Sequence, residues 1–267
     1  MVKFRLLFFL PLIFSCSSLK NTKEDVLTLD LKSAYDKVSS NGVFLLKDID
    51  KKILYTYNSS LDDTLFVPAS TFKIVNSIIA LETGTVSGIH DTLKWDGVIR
   101  DRKEWNRDSD MKNAFANSTV WFYQELAKKI GVDRMRFWLD TLKYGSGNIY
   151  TIDKFWLNGE LKISPKEQLQ FLVRFLNREL PLSSNTYACL EEIMRREEKE
   201  QTVLFGKTGW GFDGNDVGWF VGFVRSEKGT YVFTNLMWSS KTDNPDFGSS
   251  RINIVKNVLS SLGIMPH

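Results

Sequence analysis

β-rich apolar runs stand at both ends of this chain, and a long stretch of helical patterning separates them; no other feature limits the fold as much. Near the N-terminus, segments 42–49 and 53–57 read as strands, and Asp48-Ile49-Asp50-Lys51 between them is a hairpin signal. Strands return at 202–206, 217–224 and 230–238, the last two joined by Ser226-Glu227-Lys228-Gly229. Between the two sets, 70–82, 118–130, 133–142, 165–177 and 184–196 read as helices, and a final helix covers 248–262. Ser164 before Pro165, with Glu167 soon after, marks a helix start, and Gly84 closes the first helix. The expected fold is α/β of the α+β type: one antiparallel sheet built from both chain ends, flanked by helices, with an inserted helical lobe. No repeat, low-complexity tract or interdomain linker interrupts it, so 26–267 reads as one domain. The charge run Glu197-Glu198-Lys199-Glu200 reads as a solvated loop.

Composition narrows the function classes. The chain has 267 residues, 43% apolar and 25% charged, enough to bury a core in one domain or two packed lobes. The formal charge of +3 falls to +1 without residues 1–15, which carry Lys3 and Arg5, so nothing suggests nucleic acid. His90 and His267 are the only histidines, and no Cys/His cluster exists, which argues against a metal site and against a Ser-His-Asp triad. His90 reads as a solvated loop residue. Eight tryptophans and nineteen phenylalanines point to aromatic-rich packing.

Residues 1–15 read as a secretory signal peptide: Lys3 and Arg5 precede the apolar run 6–14, which is too short to span a bilayer comfortably. The run ends Ile13-Phe14-Ser15-Cys16, which resembles a bacterial lipoprotein processing site, with Cys16 the lipidated residue and 16–25 a polar tether. The other reading is a plain signal peptide cleaved nearby. With Cys16 lipidated, Cys189 is the one remaining thiol and no intramolecular disulfide forms. The chain is therefore expected to be exported, periplasmic and held at a membrane through that anchor.

Ser70-Thr71-Phe72-Lys73 opens the first helix of the central segment. A serine and a lysine three apart share a helix face. A serine hydroxyl is a poor nucleophile until a base takes its proton, and lysine serves only if its surroundings disfavour the ammonium form. Phe72, Ile74, Val75 and Ile78 supply such surroundings. The helix start favours developing negative charge at Ser70. One such pair is weak evidence, since an N-cap serine near a surface lysine looks the same. Downstream, however, stand Ser118-Thr119-Val120, Tyr144-Gly145-Ser146 and Lys207-Thr208-Gly209. A serine-lysine pair followed by a second serine motif and K-T-G is the set found in penicillin-recognising serine enzymes.

Beyond its leader the chain resembles a class D, oxacillinase-type, serine beta-lactamase. Ser70-Thr71-Phe72-Lys73, Ser118-Thr119-Val120, Trp156-Leu157, Lys207-Thr208-Gly209-Trp210 and Arg251 carry the resemblance; Tyr144-Gly145-Ser146 departs from the usual Tyr-Gly-Asn. The resemblance implies hydrolysis of the beta-lactam amide through an acyl-serine on Ser70, with backbone N–H groups of Ser70 and Trp210 as the oxyanion hole. It implies that carbon dioxide carboxylates Lys73 to a carbamate base, with no other cofactor. Val120 and Leu157 would roof that base and Trp156 would donate to it. Ser118 would relay a proton to the leaving nitrogen. Lys207, Thr208, Gly209, Arg251 and Tyr144 would contact substrate, with arginine suited to a carboxylate. Taken singly, Val120, Leu157 and Trp156 read as packing and Arg251 as a surface arginine. The alternatives are a transpeptidase or carboxypeptidase, a one-shot beta-lactam sensor domain, and an anchored binding module. Val120 in place of asparagine, together with Trp156, argues against the first; the lack of several membrane spans argues against the second; the serine-lysine pair and K-T-G argue against the third.

Overall fold

The computed structural model describes residues 24–241 and 244–266. In chain order it runs β1 (Asp25–Thr28), α1 (Lys32–Asp36), β2 (Asn41–Asp48), β3 (Ile53–Tyr57), α2 (Lys73–Glu82), β4 (Thr92–Leu93), β5 (Ser109–Asp110), α3 (Met111–Ala116), α4 (Val120–Ile130) and α5 (Val132–Leu142). There follow β6 (Ser146–Gly147), β7 (Leu161–Lys162), α6 (Pro165–Leu176), α7 (Ser184–Met194), β8 (Arg195–Lys199), β9 (Thr202–Phe212), β10 (Asp216–Ser226), β11 (Gly229–Ser239) and α8 (Phe247–Ser261). The seven-stranded sheet has the order β1-β3-β2-β11-β10-β9-β8, antiparallel except for the parallel β1–β3 pair. The two chain ends thus meet where β2 pairs with β11.

Both sheet faces are covered, which explains why the inner strands are apolar almost without a break. Val43 and Leu45 of β2, with Val217, Trp219, Val221 and Phe223 of β10, face the inserted helices. Phe44, Leu46, Phe220 and Val224 face α8 and Tyr35 of α1. The period-two alternation therefore feeds two cores. Ser164 caps α6 with a full capping box through Glu167.

Three expectations need correction. The sequence reading carries the helix that starts at residue 184 to residue 196 and leaves the following charge run as a loop, but α7 stops at Met194 and Arg195–Lys199 form β8. Charged residues suit it because β8 is an edge strand, where apolar residues would invite pairing with another chain. The reading ends a strand at Gly206, but β9 continues to Phe212 because β10 pairs with its whole length. It also places residue 25 in a tether, whereas Asp25 pairs with Ile53 at the sheet edge. The short α1 and α3 gave too few apolar repeats to be legible. The leader, Cys16 and His267 lie outside the described residues. His90 is exposed, in hydrogen-bond range of Asp110 at 3.3 Å.

Candidate active site

A short 3-10 turn, Ala69–Phe72, precedes α2 and presents Ser70. Ala69 has a left-handed backbone (φ +50), a costly conformation for a residue with a Cβ, and the surroundings hold it there. Its N–H donates to Trp156 O at 3.0 Å, and the preceding Val67 O accepts from the Trp219 indole at 2.9 Å. Behind the turn, Thr71 Oγ1 donates to Pro68 O at 2.7 Å and accepts from Gln168 at 2.8 Å; Gln168 in turn accepts from Tyr144 at 3.2 Å. Gly209 lets β9 approach the same turn: a Cβ there would lie 3.0 Å from Pro68 O.

Lys73 is the first residue of α2 and is fully buried. Its Nζ lies 2.8 Å from Ser70 Oγ. Burial, and secondarily the positive charge of Arg102, lowers its pKa from 10.5 to about 7. The amine is therefore poised between its charged and neutral forms at neutral pH. Trp156 stacks on Phe72 with ring centroids 5.2 Å apart, and its buried indole N–H has no acceptor. An orphaned donor of that kind costs about 1–3 kcal/mol, so the indole N–H is available to an acceptor. Val120 and Leu157 are both half-buried.

Ser118 does not begin a helix, as the sequence reading has it. It sits in the link between α3 and α4 with a left-handed backbone (φ +55). The bonds Thr119 N to Ala114 O (2.8 Å) and Ser118 N to Phe115 O (3.2 Å) form a Schellman closure of α3. Glycine is usual at that place; here serine takes the strain. The carbonyl just before it, Asn117 O, accepts from the Trp105 indole at 3.0 Å. Ser118 lines the same cleft as Ser70.

Lys207, on β9, is also buried, and its Nζ donates to Ser118 Oγ at 3.1 Å. Its pKa is held well below the usual lysine range, first by burial and then by Lys73, Arg196, Arg251 and Arg102. It therefore stands behind Ser118 and not among the residues that line the cleft. Arg251 projects from α8 across β10 at Gly218, where a Cβ would come 2.9 Å from its Cδ. Its guanidinium donates to Gly248 O (2.9 Å) and to Gly209 O, and stacks on Trp210 at 5.3 Å. Burial, then Arg196 and Arg102, lowers its pKa to about 10, so it stays a cation at neutral pH.

The cleft has a volume of about 210 Å³ and is lined by Ser70, Ser118, Val120, Thr208, Trp210 and Arg251, with Arg102 and Trp105 completing it. A larger cavity of about 540 Å³, by Leu45, Leu54 and Lys166, contains none of these residues. Tyr144 does not reach substrate: it is buried, its ring packs 5.0 Å from Phe171 and its hydroxyl is bound to Gln168. Its place is the support of the Ser70 turn. Arg102, Trp105 and Gln168 were missed because nothing in their local sequence separates them from surface or packing residues.

The arrangement matches known proteins closely. Residues 19–260 match the model of the penicillin binding protein transpeptidase domain. The chain is 36% identical over 254 residues to "Probable beta-lactamase YbxI" of Bacillus subtilis, covering 94% of this chain and 92% of that protein. A crystal structure of the class D beta-lactamase YbXI from Nostoc superposes with a TM-score of 0.83 at 40% identity, covering 88% and 99% of the two chains. The C-terminal domain of the Bacillus licheniformis BlaR penicillin receptor superposes with a TM-score of 0.85 at 33% identity, covering 91% and 98%. With Ser70, Lys73, Ser118 and Lys207 gathered by these contacts, the chain belongs to the penicillin-binding transpeptidase family and, within it, to the class D serine beta-lactamases.

Proposed function

We propose that this protein hydrolyses the beta-lactam ring amide of penicillin-type antibiotics through an acyl-serine on Ser70, with Lys73 carboxylated as the base. The observation that carries the reading is a fully buried Lys73 amine 2.8 Å from Ser70 Oγ; the Trp156 indole N–H, which has no acceptor, supports it. A carbamate on Nζ supplies an anionic base at neutral pH and an acceptor for that N–H. Carboxylation needs the neutral amine, and burial makes it available. Ser70 Oγ gives up its proton and bonds the carbonyl carbon, and the carbon–nitrogen bond breaks. The base takes the Ser70 proton. Ser118, whose O–H is free because Lys207 donates to its Oγ, passes a proton to the nitrogen and is reprotonated with the one the base took, so that the base is restored. Water, giving its proton to the base, then attacks the ester; the ester bond breaks and the base returns the proton to Ser70 Oγ. Backbone N–H groups of Ser70 and Trp210 hold the oxyanion, and Thr208 with Arg251 hold the substrate carboxylate.

Likeness to the receptor domain favours one rival, acylation without release. A chromogenic cephalosporin with added bicarbonate separates the two. Sustained colour is expected; one equivalent of colour per protein would overturn the hydrolase reading.

Export and anchoring are part of the same reading: Lys3, Arg5, the apolar run and Cys16 support a signal peptide and a lipidated periplasmic protein. Cys16→Ser should leave the protein soluble or unprocessed. Wild-type protein found wholly in the soluble fraction would favour plain cleavage.

A further inference from the structure

Two arginines outside the expected catalytic set stand in or next to the cleft: Arg102 in its lining and Arg196 in that of an adjoining cavity. Arg102 lines the cleft beside Trp105, stacked at 5.5 Å. Arg196 occupies a bulge in β8: Arg195 pairs with Phe205 and Glu197 with Leu204, leaving Arg196 as the extra residue. Bulges re-aim side chains, and this one lays Arg196 5.4 Å from the Phe220 ring at the open side of β9. Arg102 and Arg196 line one cavity of about 650 Å³, which shares Arg102, Ser118 and Thr208 with the catalytic cleft. Asp101 and Glu104 also line it, but neither is paired with these arginines. Among the described residues no ion pair involves Lys73, Arg102, Arg196, Lys207 or Arg251. Arg196 and Arg102 lie close enough to raise the positive potential at both Lys207 and Arg251. Arg102, Arg196 and Arg251 therefore stand as charged groups in or next to the cleft, and its assigned chemistry uses one of them, Arg251, for the substrate carboxylate.

We propose that Arg102 and Arg196 form a second anion subsite that selects beta-lactams bearing a negatively charged substituent next to the ring carboxylate, such as an anionic C3 group on a cephalosporin. The position follows from the residues shared by the two cavities. Ser118 serves the ring nitrogen, Thr208 and Arg251 hold the carboxylate on the neighbouring carbon, and the ring atom after that carries its substituent toward the Arg102–Arg196 cavity. Arginine suits the task, since its fork binds carboxylate or sulfonate in two bonds. The subsite rests on the hydrolase reading, and its test keeps the two apart.

The test compares two cephalosporins that share an acyl side chain and differ at C3, one with a carboxylate or sulfonate and one with a neutral group of similar size. Wild type should favour the anionic compound roughly three- to tenfold in kcat/KM, through KM, and the preference should shrink at high salt. Arg196→Ala should bring the ratio near one while leaving turnover of the neutral compound unchanged; Arg196→Lys should restore part of it. Arg102→Ala should also lower the ratio, whatever it does to the neutral rate. An unchanged ratio in Arg196→Ala, or equal loss for both compounds, would overturn the subsite while continued turnover of the neutral compound leaves the hydrolase reading standing.

Discussion

Lys73 and Lys207 are buried to nearly the same degree, and each contacts a serine hydroxyl, Ser70 at 2.8 Å and Ser118 at 3.1 Å. Their surroundings differ. Lys73 is fully buried, with its Nζ 5.3 Å from the centre of the Tyr123 ring. Lys207 lies near Arg196, Arg251 and Arg102 and also donates to its neighbour's carbonyl, Thr208 O, at 3.1 Å. Around Lys73 desolvation dominates and leaves a reactive amine; around Lys207 stand Arg196, Arg251 and Arg102, whose lasting charge makes a region that seeks anions. One side of the cleft is thus arranged for proton transfer and the other for binding charge.

The largest expected effect falls on the proton-transfer side. Ser70→Ala should remove turnover by roughly four to six orders of magnitude and abolish the penicillin adduct in mass spectra. Lys73→Ala should lose hydrolysis similarly while any slow acylation ends in a trapped acyl-enzyme. An adduct on Ser118, or turnover surviving Ser70→Ala, would break the division. On the binding side, Arg251→Ala should raise KM about tenfold with a smaller change in kcat, since the carboxylate is held alike in ground and transition states. Equal KM values across several substrates would remove Arg251 from the site.

The pH dependence sharpens the contrast. With its pKa lowered to about 7, Lys73 is neutral in the folded protein across a range where an unfolded lysine is still charged. The unfolded state therefore binds more protons between about 7 and 10.5, and stability from this group rises with pH through that window and is lowest below 7. Activity should show an acid limb near the same pH, with bicarbonate restoring protein that was briefly acidified. A rate flat from pH 5 to 8 in bicarbonate-free buffer would place the base elsewhere. The smallest effect belongs to Tyr144→Phe. Loss of its bond to Gln168 should cost about 0.5–1.5 kcal/mol of stability, read by thermal denaturation, with KM nearly unchanged. A large KM change would return Tyr144 to the substrate.

Much of the fold was legible because its signals are local. Near-continuous apolar runs mark β2, β10 and β11, and Ser164-Pro165 marks α6. β8 was not, since an edge strand carries charge instead of pattern and is recognised only by its partner β9. Within the site, Ser70 and Lys73 follow from helix spacing, whereas the left-handed Ser118 depends on how α3 closes. The Tyr144–Gln168–Thr71 relay joins residues up to 97 apart in the chain, and no spacing rule reaches that far. Arg102 and Arg196 look like any surface arginine until the fold sets them beside Thr208.

The central claim is that the buried Lys73 amine takes up carbon dioxide. Carbon-13 NMR of the protein in labelled bicarbonate tests it directly. The account predicts a carbamate resonance in wild type that disappears in Lys73→Ala, weakens in Trp156→Phe and fades as pH falls. Sustained turnover at saturating bicarbonate with no such resonance would contradict it, and Lys73 would then act as a free amine.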